Sequence, residues 1–209
     1  MRNCIFCEEG NDFSYCKSFL GKEWIYNDRV VYHNRFVFAV VGYGPQVDPY
    51  IIIIPYRHMV SLSQMNDDEW SGFKECLTFL CNRGGFGEKL CIFEHGGKAG
   101  NNASIDHCHI HVISGDYNLY YDDSFSTYNN LPSLHSPREI TGSDYLLIGE
   151  FSQGNLEIKI SYDQCKNEHQ YFRKRLSVLL NSNYWDWHQD SNLKMMSDTM
   201  KKFTMDFTK

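Results

Sequence analysis

The sequence predicts an α+β fold, on three observations. Short segments rich in β-branched and aromatic residues crowd the first half and are punctuated by Gly, Pro and Asn. One stretch of helical apolar spacing interrupts them. The second half then returns to a strand pair followed by helices, instead of alternating strand with helix as a parallel α/β chain does. No segment repeats with a period of 20 to 50 residues, which excludes solenoids and propellers.

Val30 to Tyr32, Arg35 to Val41 and Tyr50 to Ile54 are the first predicted strands. A helix follows: Asn66 caps it, Glu69 completes a capping box, and Trp70, Phe73, Leu77, Leu80 and Cys81 recur at helical spacing until Gly84-Gly85. Lys89 to Phe93 and Cys108 to Ile113 are two further strands. From Asp116 to Pro137 the chain turns polar and reads as a long loop. Tyr145 to Ile148 and Leu156 to Ile160 form a hairpin around Gln153-Gly154-Asn155, with Leu156, Ile158 and Ile160 inward. A helix carrying Phe172, Leu176, Leu179 and Leu180 on one face comes next. A last one steps through Met196, Met200, Phe203 and Phe207.

Composition narrows the function. With 209 residues the chain suits one domain with an appendage. Its 20 basic and 26 acidic residues give a net charge of -6, which leaves no cationic surplus for a nucleic-acid polymer. The longest apolar run, Ile51 to Pro55, is far short of the roughly 20 residues of a membrane helix. Met1-Arg2-Asn3-Cys4 opens no signal-peptide pattern, so a cytoplasmic protein is expected, with its eight scattered cysteines reduced. Only Cys4 and Cys7 have ligand spacing; on that spacing alone they are half a zinc site, a redox pair or neither.

His107, His109 and His111 alternate within Ile105-Asp106-His107-Cys108-His109-Ile110-His111-Val112-Ile113. On a strand they share one face, about 6 to 7 Å apart, while Cys108, Ile110 and Val112 enter the core. Imidazoles on such a face suit zinc binding, and a neutral imidazole is also a nucleophile toward phosphorus. A metallohydrolase reading lacks an acidic general base at motif spacing. The upstream stretch Glu94-His95-Gly96-Gly97-Lys98-Ala99-Gly100-Asn101-Asn102-Ala103-Ser104 is a glycine-rich loop whose amides can cradle an anion.

The alternating histidines, that loop and the strand Tyr50 to Ile54 followed by Pro55-Tyr56-Arg57-His58 together resemble the histidine triad (HIT) superfamily of nucleotide hydrolases and transferases, over about residues 4 to 114. The resemblance implies an antiparallel meander sheet with flanking helices. It divides the chain into a catalytic domain at 1–115 and a strand-helix extension at 116–209. It implies reaction at the α-phosphate of a nucleotide conjugate through a nucleotidyl-histidine, with His109 as nucleophile and His111 at the phosphate or leaving group. His107 completes the triad, and Ser104 with the Gly100, Asn101 and Asn102 amides faces the phosphoryl oxygens. It implies no catalytic metal. It also implies a structural zinc held by Cys4, Cys7, His58 and His107, and a possible homodimer.

Two departures follow from the resemblance. Val41-Gly42-Tyr43-Gly44-Pro45 stands where the family places an acidic residue for ribose hydroxyls, leaving Asp48 as a substitute, and Glu94-His95-Gly96 stands where simpler members show Asn-x-Gly. His95 is a substrate contact or a loop histidine on equal terms. Gln170 and Arg173 lie three apart on a helix of the extension, where an arginine is able to reach a phosphate. The alternative to an enzyme is a zinc-stabilised nucleotide-binding or scaffold protein without turnover.

Overall fold

The computed structural model describes residues 4–97, 105–142, 144–162 and 170–205. An N-terminal arm of two short helices, α1 (Ile5–Asn11) and α2 (Lys17–Leu20), leads into a sheet. Its strands are β1 (Val30–His33), β2 (Val37–Val41), β3 (Tyr50–Pro55), β4 (Lys89–Gly96), β5 (Ile110–Ser114), β6 (Asn129–Leu131), β7 (Tyr145–Ser152) and β8 (Asn155–Ser161). The spatial order is β1-β2-β3-β5-β4-β7-β8-β6, every neighbouring pair antiparallel. The remaining helices are α3 (Asp67–Leu80), α4 (Tyr171–Leu179) and α5 (Leu193–Met205). This is the expected α+β architecture, and the C-terminal strands extend the same sheet through β7 on β4.

The sheet is covered on both faces, which is why β3 reads as an unbroken aliphatic run instead of an alternating one. On one face Val37, Ala39, Ile51, Ile53, Ile92, Ile110 and Val112 pack against Trp70, Phe73 and Leu77 of α3 and Met196, Met200 and Phe203 of α5. On the other, Phe38, Val40, Tyr50, Ile52 and Phe93 pack against Phe6 of α1 and Phe172 and Leu176 of α4. Arg29 secures the arm: its Nε and Nη2 donate to the two carboxylate oxygens of Glu9, each at 2.7 Å, and Nη1 donates to the Val41 carbonyl at 2.8 Å. Both side chains are buried, so the bidentate pair is a pin whose loss strands a charge.

Several sequence expectations shift for local reasons. β2 begins at Val37, not Arg35, because the Asn34 side chain accepts from the backbone N–H of Phe36 and Val37 and holds a turn there. The capping box on α3 is present, with Asn66 accepting from Glu69 N–H and Glu69 from Asn66 N–H. The helix stops at Leu80, ahead of the glycine pair, where Asn82 takes a left-handed conformation (φ 68°). The stretch expected as a long loop is instead three short 3-10 turns that bury Leu119, Tyr120 and Phe125, followed by β6 as an edge strand on β8. Gln153 and Gly154, at φ 51° and 82°, make the tight turn that a two-residue hairpin requires. On α4, Leu179 is 43% exposed; the buried stripe is Phe172, Arg173, Leu176 and Ser177, so the helix turns Arg173 inward. Phe207 lies outside the described residues. Among those residues seven cysteines are free thiols, and no helix is long and apolar enough to cross a membrane.

One buried carboxyl lies on the α3 side of the sheet. Glu94 accepts from Leu62 N–H at 3.0 Å, from the Cys108 thiol at 3.1 Å and from the Tyr145 hydroxyl. Burial nevertheless outweighs these bonds and pushes its pKa up from 4.5 to about 7. The unfolded chain ionises first as pH rises, so the stabilisation present at acid pH is lost between pH 4.5 and about 7. Glu94→Gln is expected to flatten that fall in unfolding free energy by about 3 kcal/mol, measured by denaturant titration at pH values on either side of the window.

Candidate active site

The strand β5 starts at Ile110, so the histidine segment enters it late. Residues 105–107 form a bend, with His107 N–H donating to the Ile105 carbonyl at 2.9 Å and Cys108 N–H to the Met59 carbonyl at 2.6 Å. Cys108, Ile110 and Val112 do enter the core as alternation requires. The three imidazoles do not act as one row. His107 is turned toward the N-terminal arm, while His109 and His111 stay together with ring centroids 5.1 Å apart and line a cavity. The extended run that would have aligned all three is interrupted by the bend. Phe6 of α1 packs against both His107 and His109, at 5.9 and 5.4 Å between centroids.

Each imidazole has one nitrogen engaged. His109 Nδ1 lies 2.7 Å from the His107 carbonyl, which only accepts, so Nδ1 carries the proton and Nε2 keeps its lone pair. His111 stacks on Phe93, its β4 neighbour, at 4.9 Å and 14°, and places Nδ1 3.0 Å from the Tyr50 hydroxyl. Burial lowers the pKa of both below 6.5; for His109 the bond to the His107 carbonyl opposes this, and for His111 the charges of His109 and Arg173 add to it. Both rings are therefore neutral at neutral pH.

The cavity, about 240 Å³, lies between the sheet and the segments on its second face. Phe6, Phe19, Tyr43, Ile52 and Trp187 give it apolar walls, and His95, Gln170 and Arg173 also line it. Gln170 donates from Nε2 to Asp186 at 3.0 Å. Arg173, 5% exposed, donates from Nε to the Trp185 carbonyl and from Nη2 to the Gly44 carbonyl, each at 2.7 Å. Asp48 does not reach the cavity: it accepts from Thr199 Oγ1 at 2.7 Å and pairs with Lys202 at 2.9 Å. Ser104, Gly100, Asn101 and Asn102 lie outside the described residues. Tyr50, Tyr43 and Trp187 are cavity or hydrogen-bonding residues that sequence reasoning missed. Alternation places Tyr50 on the same strand face as Ile52, but its approach to His111 depends on the β3–β5 register.

Beside this cavity, Cys4, Cys7, His58 and His107 converge, their ligating atoms all within 4.8 Å of one another. Cys4 Sγ is 3.3 Å and Cys7 Sγ 3.6 Å from His107 Nδ1, and Cys7 Sγ is 3.3 Å from His58 Nδ1. A tetrahedral zinc with Zn–N and Zn–S bonds of about 2.0–2.3 Å needs its ligands about 3.3–3.8 Å apart, so the spacing fits. His107 Nε2 donates to the Pro55 carbonyl at 2.9 Å, which leaves Nδ1 as the lone pair facing the thiols. Burial lowers the His107 pKa to about 4, so the ring is neutral and able to ligate. Among the described residues this is the one such group of three or more, and it draws His107 away from any shared site with His109 and His111.

The HIT domain family model matches residues 26–118, which include Tyr50, His58, His95 and the three alternating histidines but neither cysteine of the cluster nor Arg173. Among solved structures, a histidine triad protein from Clostridium difficile is 22% identical, with 55% of this chain and 92% of that one covered, at a TM-score of 0.40. A zinc-bound histidine triad family protein from Mycobacterium smegmatis is 18% identical, covering 54% and 74%, at a TM-score of 0.38. A hypothetical histidine triad nucleotide-binding protein from Sulfolobus tokodaii is 14% identical, covering 95% and 92%, at a TM-score of 0.39. Comparison with curated proteins finds no match. Residues 26–118 of this chain match the HIT domain model, within a longer chain that carries the sheet on beyond them.

Proposed function

We propose that the protein is a nucleotidyl hydrolase or transferase that splits a nucleotide conjugate at its α-phosphate through His109. The observation that carries this reading is the bond from His109 Nδ1 to the His107 carbonyl, which leaves Nε2 as a bare nucleophile at the cavity. Attack forms an Nε2–P bond while the bond from phosphorus to the leaving group breaks, its electron pair departing with that group. The histidine adduct is cationic, and the carbonyl that accepts from Nδ1–H stabilises the developing charge. Water or a second acceptor then attacks phosphorus and releases Nε2. Ser104 and the amides of Gly100, Asn101 and Asn102 are assigned to the phosphoryl oxygens on sequence grounds. His111 is assigned to the phosphate or leaving group.

Cys4, Cys7, His58 and His107 are proposed to hold a structural zinc, which when bound cross-links the arm to the segment entering β5. His107 would then serve twice: its ring as a ligand and its carbonyl as the group that orients His109.

The reading is tested by assaying dinucleoside polyphosphates, nucleoside phosphoramidates and nucleotide sugars. Turnover of one class is expected, and binding without turnover across the panel would favour the scaffold alternative. The pH profile is a second check. His109 must be neutral to attack, and burial lowers its pKa below 6.5, so the acid limb of kcat/KM is expected to have its midpoint below 6.5. An acid limb centred above 6.5 contradicts the nucleophile assignment.

A further inference from the structure

We infer that Arg173 and Tyr50 are positioning residues: a hydrogen-bond chain running one way, from the Arg173 guanidinium through the Tyr50 hydroxyl to His111 Nδ1, holds His111 in the tautomer that presents Nε2–H. Each link has a fixed direction. A guanidinium has donors and no acceptor. Its Nη1 lies 3.4 Å from the Tyr50 hydroxyl oxygen, so that oxygen accepts and its own proton is free to point elsewhere. The His111 Nδ1 atom, 3.0 Å away, takes it. A neutral imidazole has one N–H, which must then be on Nε2.

The opposite polarity is disfavoured by burial. Tyr50 is 0% exposed; were His111 Nδ1–H to donate, the hydroxyl would accept twice and its own proton would need a further acceptor at a buried position. The arginine is held in position to enforce this, because the carbonyls of Trp185 and Gly44, from two separate segments, grip Nε and Nη2. Its guanidinium also lies 5.6 Å from the centroid of the Tyr50 ring. No carboxylate pairs with Arg173 among the described residues.

The consequence is a pair of adjacent imidazoles in opposite tautomers. His109 has its proton on Nδ1 and a bare Nε2; His111 has a bare Nδ1 and a proton on Nε2. One is prepared to attack and the other to donate to an oxygen that gains charge. The residue that sets the second tautomer comes from outside the HIT segment, which gives the C-terminal extension a part in the chemistry. The catalytic consequence rests on the reading above; the tautomer itself does not.

Long-range 1H–15N correlation on protein labelled with 15N-histidine, at neutral pH, reads the tautomers directly, with His109→Asn and His111→Asn used for assignment. In the wild type, His111 is expected to show the Nε2–H pattern and His109 the Nδ1–H pattern. Tyr50→Phe and Arg173→Met are each expected to average the two His111 nitrogen shifts while leaving the His109 pattern in place, which also reports that the fold is intact. With a substrate identified, kcat is expected to fall at least about twofold with KM little changed, because only the fraction of His111 still protonated on Nε2 is able to donate. A wild-type His111 protonated on Nδ1 overturns the inference, as does a His111 pattern unchanged in Tyr50→Phe. An unchanged pattern in Arg173→Met alone overturns the arginine's part. If no conjugate is turned over but the wild-type and variant patterns are as expected, the hydrogen-bond chain stands and the proposed reaction fails.

Discussion

His109→Ala is expected to lower turnover of the protein's nucleotide conjugate by about 10³- to 10⁶-fold, the range seen when a covalent nucleophile is removed. The size follows from the placement of the ring. Its Nδ1 is committed to the His107 carbonyl and its Nε2 faces the cavity, so truncating the ring removes the neutral nucleophile. His111 is an adjacent imidazole, but the hydroxyl of Tyr50 occupies its Nδ1 and its Nε2 carries the proton. His109→Asn keeps a polar side chain and is expected to be as inactive. Stability should change little, because His109 reaches the cavity and is not part of either hydrophobic cluster. Rates within tenfold of wild type in both variants, with the melting temperature preserved, would remove His109 from the mechanism.

Chelation of zinc, or Cys7→Ser, is expected to lower the melting temperature by about 10 °C. A ligand present at 1,000 times its dissociation constant contributes about 4 kcal/mol, and each kcal/mol moves the midpoint of a chain this size by about 2–4 °C. The structural reason is that the four ligands come from three places: the start of α1, the turn after β3 and the bend before β5. Without a metal the arm is held by the Arg29–Glu9 pair and the packing of Phe6. Metal loss should also slow turnover, since freeing His107 loosens the carbonyl that orients His109. Metal analysis of purified protein should give one zinc per chain. A value well below one, with a melting temperature insensitive to chelator, leaves the cysteines as free thiols.

The local features of this fold were the legible ones. Apolar β3, the Asn66–Glu69 capping box and the Gln153-Gly154 turn each depend on residues a few positions apart, and each is where the spacing predicts it. The bend at residues 105–107 was not legible: alternation of His107, His109 and His111 reads as strand, whereas the Met59 carbonyl and the thiols of the arm draw this segment out of the sheet. The polar stretch after Asp116 concealed Leu119, Tyr120 and Phe125, whose burial turns a predicted loop into a packed layer. For the candidate site, the residue types were legible and their pairings were not. The cysteines and histidines of the metal cluster follow from spacing and resemblance. The contact between Arg173 and Tyr50, by contrast, joins positions 123 residues apart, and no local pattern encodes it.

The central claim is that His109 becomes covalently nucleotidylated, and trapping that species tests it most directly. Protein mixed with an excess of a conjugate it turns over, quenched within the turnover time and digested, is expected to yield a peptide containing His109 whose mass is raised by a nucleoside monophosphate less water. The adduct should be absent from His109→Asn. Substrate consumption with no adduct under any quench, or an adduct carried by another residue, contradicts the account.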